Sequence, residues 1–215
     1  MEKSKHVRNR RGERSREEIL DVASRIMADR GYAATSISDL CREAGLPKSA
    51  IYHHFESKAG LLTAVMARGA QGFFDGMRAR HGSGPDGGTP RERIRWYLER
   101  TGEAFLEHRE FLALLLILLM SNEAADAPDA EKVVTDVRAE GLAYMAHMVE
   151  SSFAPEGPEI ARAVADAIAT FGISGFDGAF VALQADPART MSAEMEILAE
   201  AMAALGESRA ARLRH

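Results

Sequence analysis

Lys48, Ser49, Tyr52, His53 and His54 crowd one short stretch of this chain with hydrogen-bond donors. Such a set suits a polyanion with readable acceptors. Hydroxyls and cations meet phosphates, a lysine such as Lys48 reaches guanine O6 or N7, and the methyl of Ala50 can meet a thymine methyl. Ile51 and Phe55, four residues apart, would anchor the opposite face of a helix. A short helix that packs on one side and offers donors on the other is suited to a DNA major groove.

The elements that must position these groups are legible around them. Ile37, Leu40, Cys41 and Ala44 recur at helical spacing, with Ser36 as N-cap and Gly45 as the left-handed residue that ends the helix. A second helix then opens at Pro47, whose fixed φ and missing N–H suit a first turn, and covers Lys48 to His54. Two short helices joined by a glycine-containing turn predict a helix-turn-helix over residues 36–55. Adjacent residues on a helix point about 100° apart, so His53 and His54 fit a DNA-facing pair better than a shared metal. Cys41 falls on the packed face and has no second cysteine to resolve a redox cycle.

The run Gly31-Tyr32, Thr35-Ser36-Ile37, Asp39-Leu40, Ala44-Gly45-Leu46, Ile51-Tyr52-His53-His54-Phe55 and Ser57-Lys58 resembles the N-terminal domain of the tetracycline-repressor-like (TetR) transcriptional regulators. The match covers roughly residues 15–65. Pro47 departs from it where a capping serine is common, and Gly60 where a stronger helix former is usual. The resemblance implies an all-α protein: a helix-turn-helix DNA-binding domain over 15–58, then a helical domain over 59–215 for ligand binding and dimerisation. It implies backbone contacts from Ser36, Tyr52, His54 and Lys58, and base readout from Lys48, Ser49 and His53. It also implies a homodimer on a palindromic operator, released by a small-molecule effector, with no cofactor, no metal and no enzymatic role.

Charge agrees with that division. The net charge of −5 would argue against nucleic acid if it were evenly spread, but residues 1–58 hold 12 Lys and Arg against 9 Asp and Glu. Residues 1–14 are basic and without apolar period, so they read as a disordered arm that either touches DNA or is a passive tail. Ser15 and Glu18 then form a capping box for a helix to about Arg30. A lone cysteine and no signal-like opening point to the cytoplasm. The longest apolar run, Phe111 to Met120, is half of what a membrane span needs and reads as an enclosed helix.

Further helices are expected at 58–80, from Thr89-Pro90-Arg91-Glu92 onward, at 110–122, 129–152, 158–184 and 187–205. The Gly/Pro-rich loop His81 to Pro90 separates the first two; without a preceding strand or a Gly-Lys-Ser/Thr sequence it is not a phosphate cradle. Gly172, Gly175 and Gly178 recur every three residues, costing roughly 1 kcal/mol each against alanine. Either another helix approaches closely there, with Gly175 and Gly178 at a dimer interface, or the helix kinks over a ligand cavity, and Phe171, Phe176 and Phe180 serve either arrangement. Trp96, Tyr97, Phe105, Phe111, Leu115, Met120, Tyr144 and Met148 exceed what three packed helices need, which suggests a pocket for an apolar or amphipathic ligand. His108, Asn122 or His147 would orient its polar end. Gly60 would loosen the joint between head and body. The other readings are a helical enzyme built on His108, Tyr144, His147 and Asp177, which form no recognised catalytic motif, and a DNA-binding protein without an effector.

Overall fold

A computed structural model describes the backbone of residues 2–214 and the side chains of residues 12–214. The described residues form α-helices and one short 3-10 turn, with no strand. The helices are α1 (Glu2–Arg30), α2 (Ile37–Ala44), α3 (Lys48–Phe55), α4 (Lys58–His81), α5 (Pro90–Glu107), α6 (Arg109–Met120), α7 (Pro128–Phe153), α8 (Pro158–Ala185) and α9 (Met191–Leu213). They belong to two compact units: Met1–Gly72 with His108–Asp136, and Phe73–Glu107 with Val137–His215. The first unit therefore extends beyond a boundary at residue 58, taking in α6 and the first turns of α4 and α7.

In the first unit, α1 packs on α2, α3 and α6. Ile19, Leu20, Ala23, Ile26 and Met27 are buried, as are Leu40, Ile51 and Phe55. α1 does not start at Ser15. It runs from Glu2, which corrects the expectation of a disordered arm over 1–14; Met1 lies outside the described residues. The segment contains no proline, and its single Gly12 costs less than breaking the hydrogen-bond ladder. Arg14 and Glu18, at i and i+4, pair across what was expected to be the helix start. α6 is not enclosed throughout: Leu112, Leu114 and Leu118 are buried, but Leu119 is exposed and Met120 is 82% exposed.

In the second unit, α9 packs along both α5 and α8. α5 opens as expected, with Thr89 Oγ1 accepting from the Glu92 N–H and Glu92 accepting from the Thr89 N–H. α9 begins later and ends later than expected. Thr190 is its N-cap, and Gly206 lies inside it, where a Cβ would stand 2.3 Å from the Phe153 ring. Among the described residues α8 is long and apolar enough to cross a membrane, yet α9 covers one of its faces.

Candidate functional site

The recognition stretch folds as its capping residues dictate. Ser36 accepts from the Asp39 N–H at 3.1 Å while Asp39 accepts from the Ser36 N–H, a reciprocal cap. Gly45 ends α2 at φ 64°, where an L side chain is strained. Pro47 is the N-cap of α3 rather than its first helical residue, with ψ at 154°. Ile51 and Phe55 are buried, whereas Lys48, Ser49, Tyr52 and His53 are exposed and Ala50 and His54 are half-buried. α3 carries no carboxylate in its sequence. The expected donor face is therefore present.

Two of the expected phosphate contacts are already engaged. The Ser36 hydroxyl donates to Asp39 at 2.6 Å, so offering its proton to a phosphate means giving up that bond. Lys58 Nζ sits 4.1 Å from the centre of the Tyr32 ring and donates to the Ala33 carbonyl at 3.4 Å. Burial lowers the Lys58 pKa, and the carboxylates of Asp126 and Glu123 act against that shift. Glu123 also accepts from the Ala33 N–H at 2.9 Å, and Asp126 accepts from the Tyr32 hydroxyl. Burial first, then the Asp126 charge, pushes the Tyr32 hydroxyl up to about 12. The segment after α6 thus braces the turn between α1 and α2, which sequence spacing did not reveal.

The His53 and His54 rings lie 5.1 Å apart, edge to face. Burial, then the His53 and Arg16 charges, lowers the His54 pKa. Among the described residues no cluster of three potential metal ligands exists. Arg16 was not among the sequence candidates, yet its guanidinium lies 5.3 Å from the Phe55 ring centre, which brings an α1 cation to this end of α3. Cys41 is a free, half-buried thiol.

The link from α3 to α4 is tight. Glu56 has φ 61° and ψ −39°, and the Ser57 N–H donates to the Phe55 carbonyl at 2.6 Å, a γ-turn of the rarer, strained hand. Ser57 caps α4 by accepting from the Gly60 N–H at 2.9 Å. A Cβ at Gly60 would lie 2.3 Å from the same Phe55 carbonyl oxygen. Gly60 is thus a close-approach glycine, which corrects its reading as a loosened joint.

The residues expected to line one apolar pocket are divided. Phe111, Leu115 and Met120 belong to the first unit. Phe111 and Leu115 are buried there, with Phe111 closing on Gly69, and Met120 projects to solvent. Trp96, Tyr97, Phe105, Tyr144, His147 and Met148 belong to the second unit. Phe105 is core, edge to face with Phe73 and tilted against Phe176. Met148 is buried beside Thr101, and Trp96 holds the Arg100 guanidinium 3.9 Å from its ring centre.

Tyr97, Tyr144 and His147 do share a cavity of ≈ 300 Å³, with His81, Gly82, Ser83, Gly84, Pro85, Arg93 and Ser151. Its lining is polar rather than apolar, and the glycine-rich loop forms part of its wall. His81 is only 4% exposed, and burial, its dominant influence, lowers its pKa to about 4. Its Nε2 lies 3.2 Å from the Tyr97 carbonyl, which only accepts, so Nε2 carries the proton. Nδ1 is then the acceptor for the Tyr144 hydroxyl at 2.9 Å. Of the enzyme candidates, Tyr144 is committed to this bond and Asp177 to a two-pronged pair with Arg138 at 2.9 and 2.8 Å.

Gly175 and Gly178 face different surroundings. A Cβ at Gly175 would lie 2.3 Å from Leu198 of α9, and one at Gly172 would meet Met145 and Met202. Those two glycines admit side chains of the same chain, so the half-buried Gly175 is a packing position against Leu198 of α9. Nothing stands within 4 Å of a Cβ at Gly178.

Residues 19–65 match the family of bacterial regulatory proteins described as tetR. The chain is 31% identical over 105 residues to the uncharacterized HTH-type transcriptional regulator YerO of Bacillus subtilis, covering 47% of this chain and 35% of that protein. It is 34% identical over 105 residues to the transcriptional activator FasR of Mycolicibacterium smegmatis, covering 46% of each. The repressor KstR2 of the same species aligns over 155 residues at 29% identity, covering 66% of this chain and 68% of that protein. The chain spans about a third to a half of the first curated relatives it matches. Among solved structures, a TetR-family regulator from Agrobacterium tumefaciens has the same fold, with TM-score 0.65 and 19% identity over 89% of this chain and 97% of that one. A protein from Saccharomonospora viridis in complex with choline matches at TM-score 0.68 and 22% identity, over 87% and 95%. With its helix-turn-helix formed and capped at the residues that carry the likeness, the segment 19–65 is a domain of the type found in the tetR family of bacterial regulatory proteins.

Proposed function

We propose that this protein is a cytoplasmic, sequence-specific DNA-binding regulator, a repressor that acts as a homodimer on a palindromic operator and responds to a small molecule bound in the second unit. The observation that carries this reading is the exposed donor face of α3, free of carboxylates and held by the buried Ile51 and Phe55. Lys48, Ser49 and His53 would read bases, with Ala50 against a thymine methyl. Tyr52, His54, Ser36 and Lys58 would hold phosphates, the last two after leaving their present partners.

The dimer reading rests on α8 and α9. Phe171, Gly178 and Val181 on α8, with Ile197 and Leu205 on α9, are exposed. A second copy of the pair would cover them. A two-fold dimer then sets two recognition helices about 34–36 Å apart on DNA.

In selection from random DNA, the wild-type protein should enrich a palindrome. Lys48→Ala should relax one base pair per half-site by about 1–3 kcal/mol, while Tyr52→Phe should weaken all sequences alike. An unchanged preferred sequence in Lys48→Ala would remove Lys48 from the readers, and no enrichment by the wild type would remove the DNA reading. An effector must obey reciprocity: a ligand that weakens operator binding is itself bound more weakly, by the same factor, when operator is present.

A further inference from the structure

We propose that the cavity at the C-terminal end of α4 binds a small organic carboxylate. This rests on the reading of the second unit as a ligand-binding body and names the chemistry of its ligand. The cavity is built by four pieces of one unit: His81 at the end of α4, the loop Gly82–Pro85, Arg93 and Tyr97 of α5, and Tyr144, His147 and Ser151 of α7. At ≈ 300 Å³ it holds a compact organic molecule rather than a lone water.

Charge selects the ligand. Arg93 is the one permanently charged residue in the lining, and the lining contains no carboxylate. Among the described residues no carboxylate lies within ion-pair distance of Arg93, although most other arginines of this unit have one, for example Arg78, Arg80, Arg91, Arg95 and Arg138. Its Nη1 donates to the Ser151 carbonyl at 2.7 Å and its Nε reaches the Gly87 carbonyl at 3.4 Å. Those bonds fix the guanidinium without neutralising it. A positioned, uncompensated guanidinium at a cavity wall is a carboxylate receptor, because a carboxylate supplies both the charge and the matching pair of oxygens.

The rest of the wall agrees. His81 is neutral and internally satisfied, so it offers the ligand an aromatic surface rather than a competing charge. The rings of Tyr97 and Tyr144 flank it, with centroids 5.1 and 5.4 Å from that of His81. Gly84 closes over the Tyr97 hydroxyl: with φ at 84°, a Cβ there would come within 2.7 Å of that oxygen. The loop can therefore lie against the Tyr97 hydroxyl only with glycine at this position. Aromatic walls and one cationic anchor favour a planar acid over a quaternary ammonium ion, which needs a carboxylate or an uncharged cage.

The test is calorimetric titration of the full chain, without DNA, using benzoate, inorganic phosphate and tetramethylammonium as probes. Saturable binding of one benzoate per chain is expected, with no saturable signal from tetramethylammonium or phosphate. Arg93→Gln should weaken benzoate about 10-fold or more, the loss of a charge-assisted pair. Because Arg93 also braces Ser151 and the loop, His147→Ala provides a second variant; His147 is exposed, and removing it should weaken benzoate a few-fold in a fully folded protein. Absence of saturable benzoate binding at millimolar concentration, preferential binding of either other probe, or benzoate affinity unchanged in both variants would overturn the proposal. Since no DNA is present, such a failure leaves the DNA-binding reading standing. A failed DNA selection would likewise leave these isotherms unaffected.

Discussion

On α3, Lys48, Ser49, Tyr52 and His53 stand open to solvent while Ile51 and Phe55 do the packing. In the second unit, Arg93, Tyr97, Tyr144 and His147 face a cavity instead. Both places gather donors and exclude carboxylates, yet one presents them on a projecting helix and the other turns them inward. A projecting donor face suits a polyanion that brings its own shape, and it needs only one helix held at the correct rotation. An inward face suits a small anion and requires several elements to converge, since each contributes one or two groups. On the two proposals above, similar polar chemistry would serve opposite partners according to curvature.

If the two regions are separable, damage to the hold on α3 should leave the cavity intact. Gly60→Ala is the severest such change, because its Cβ would meet the Phe55 carbonyl at 2.3 Å and a backbone atom cannot step aside cheaply. We expect a loss of about 3 kcal/mol or more in the first unit, read by chemical denaturation, and loss of operator binding with benzoate binding retained. Loss of both would break the separation.

The second prediction probes the cavity through pH. The folded His81 has a pKa near 4, below the 6.5 of an exposed imidazole, chiefly because burial disfavours its charged form; the charges of Arg100 and His147 act in the same direction, and the Tyr97 carbonyl opposes them. The unfolded chain therefore binds this proton more readily than the folded one. The stability associated with neutral His81 is intact above about pH 6.5, declines as pH falls and is gone by about pH 4, for a total of about 3 kcal/mol. Comparing the pH dependence of unfolding for wild type and His81→Gln should show this slope in the wild type alone. Equal slopes would mean that His81 titrates like an exposed histidine.

The smallest effect separates internal packing from an outer face. Gly175→Leu should cost about 1–3 kcal/mol by overpacking against Leu198, whereas Gly178→Leu should change monomer stability by no more than about 0.5 kcal/mol. Sedimentation then decides the role of the outer face. A Gly178→Leu protein that stays fully dimeric would remove Gly178 from the interface.

The α3 face was legible because the residues that cap, turn and anchor it lie within residues 36–55. The caps, the left-handed glycine and the i, i+4 anchors are local, and local rules govern them. The cavity was not legible, because residues 81, 93, 97, 144, 147 and 151 meet only through tertiary packing. An excess of large apolar side chains suggested a pocket, but Phe105 and Phe111 proved to be core. The useful signal lay in the glycine-rich loop after α4, where Gly84 comes close to the Tyr97 hydroxyl and Gly88 to Glu92. Gly60 and Gly175 teach the same lesson: a glycine inside a helix was visible, but only the structure shows which atom it admits.

The three-residue turn Phe55–Glu56–Ser57 also bears on how this protein can diversify. Each residue of an α-helix advances about 100° around its axis. One inserted residue between α3 and α4 would therefore turn every side chain of α4 away from its present neighbours and carry Gly60 off the Phe55 carbonyl. The loop Gly82–Gly88 joins α4 and α5 without a helix-to-helix register to keep, and between its contacts at Gly84 and Gly87 it can lengthen at modest entropic cost. The link after α3 acts as a fixed ruler, so new DNA sequences must be reached by exchanging side chains on α3. If the cavity takes the carboxylate proposed above, its preference can also be changed through the length of that loop.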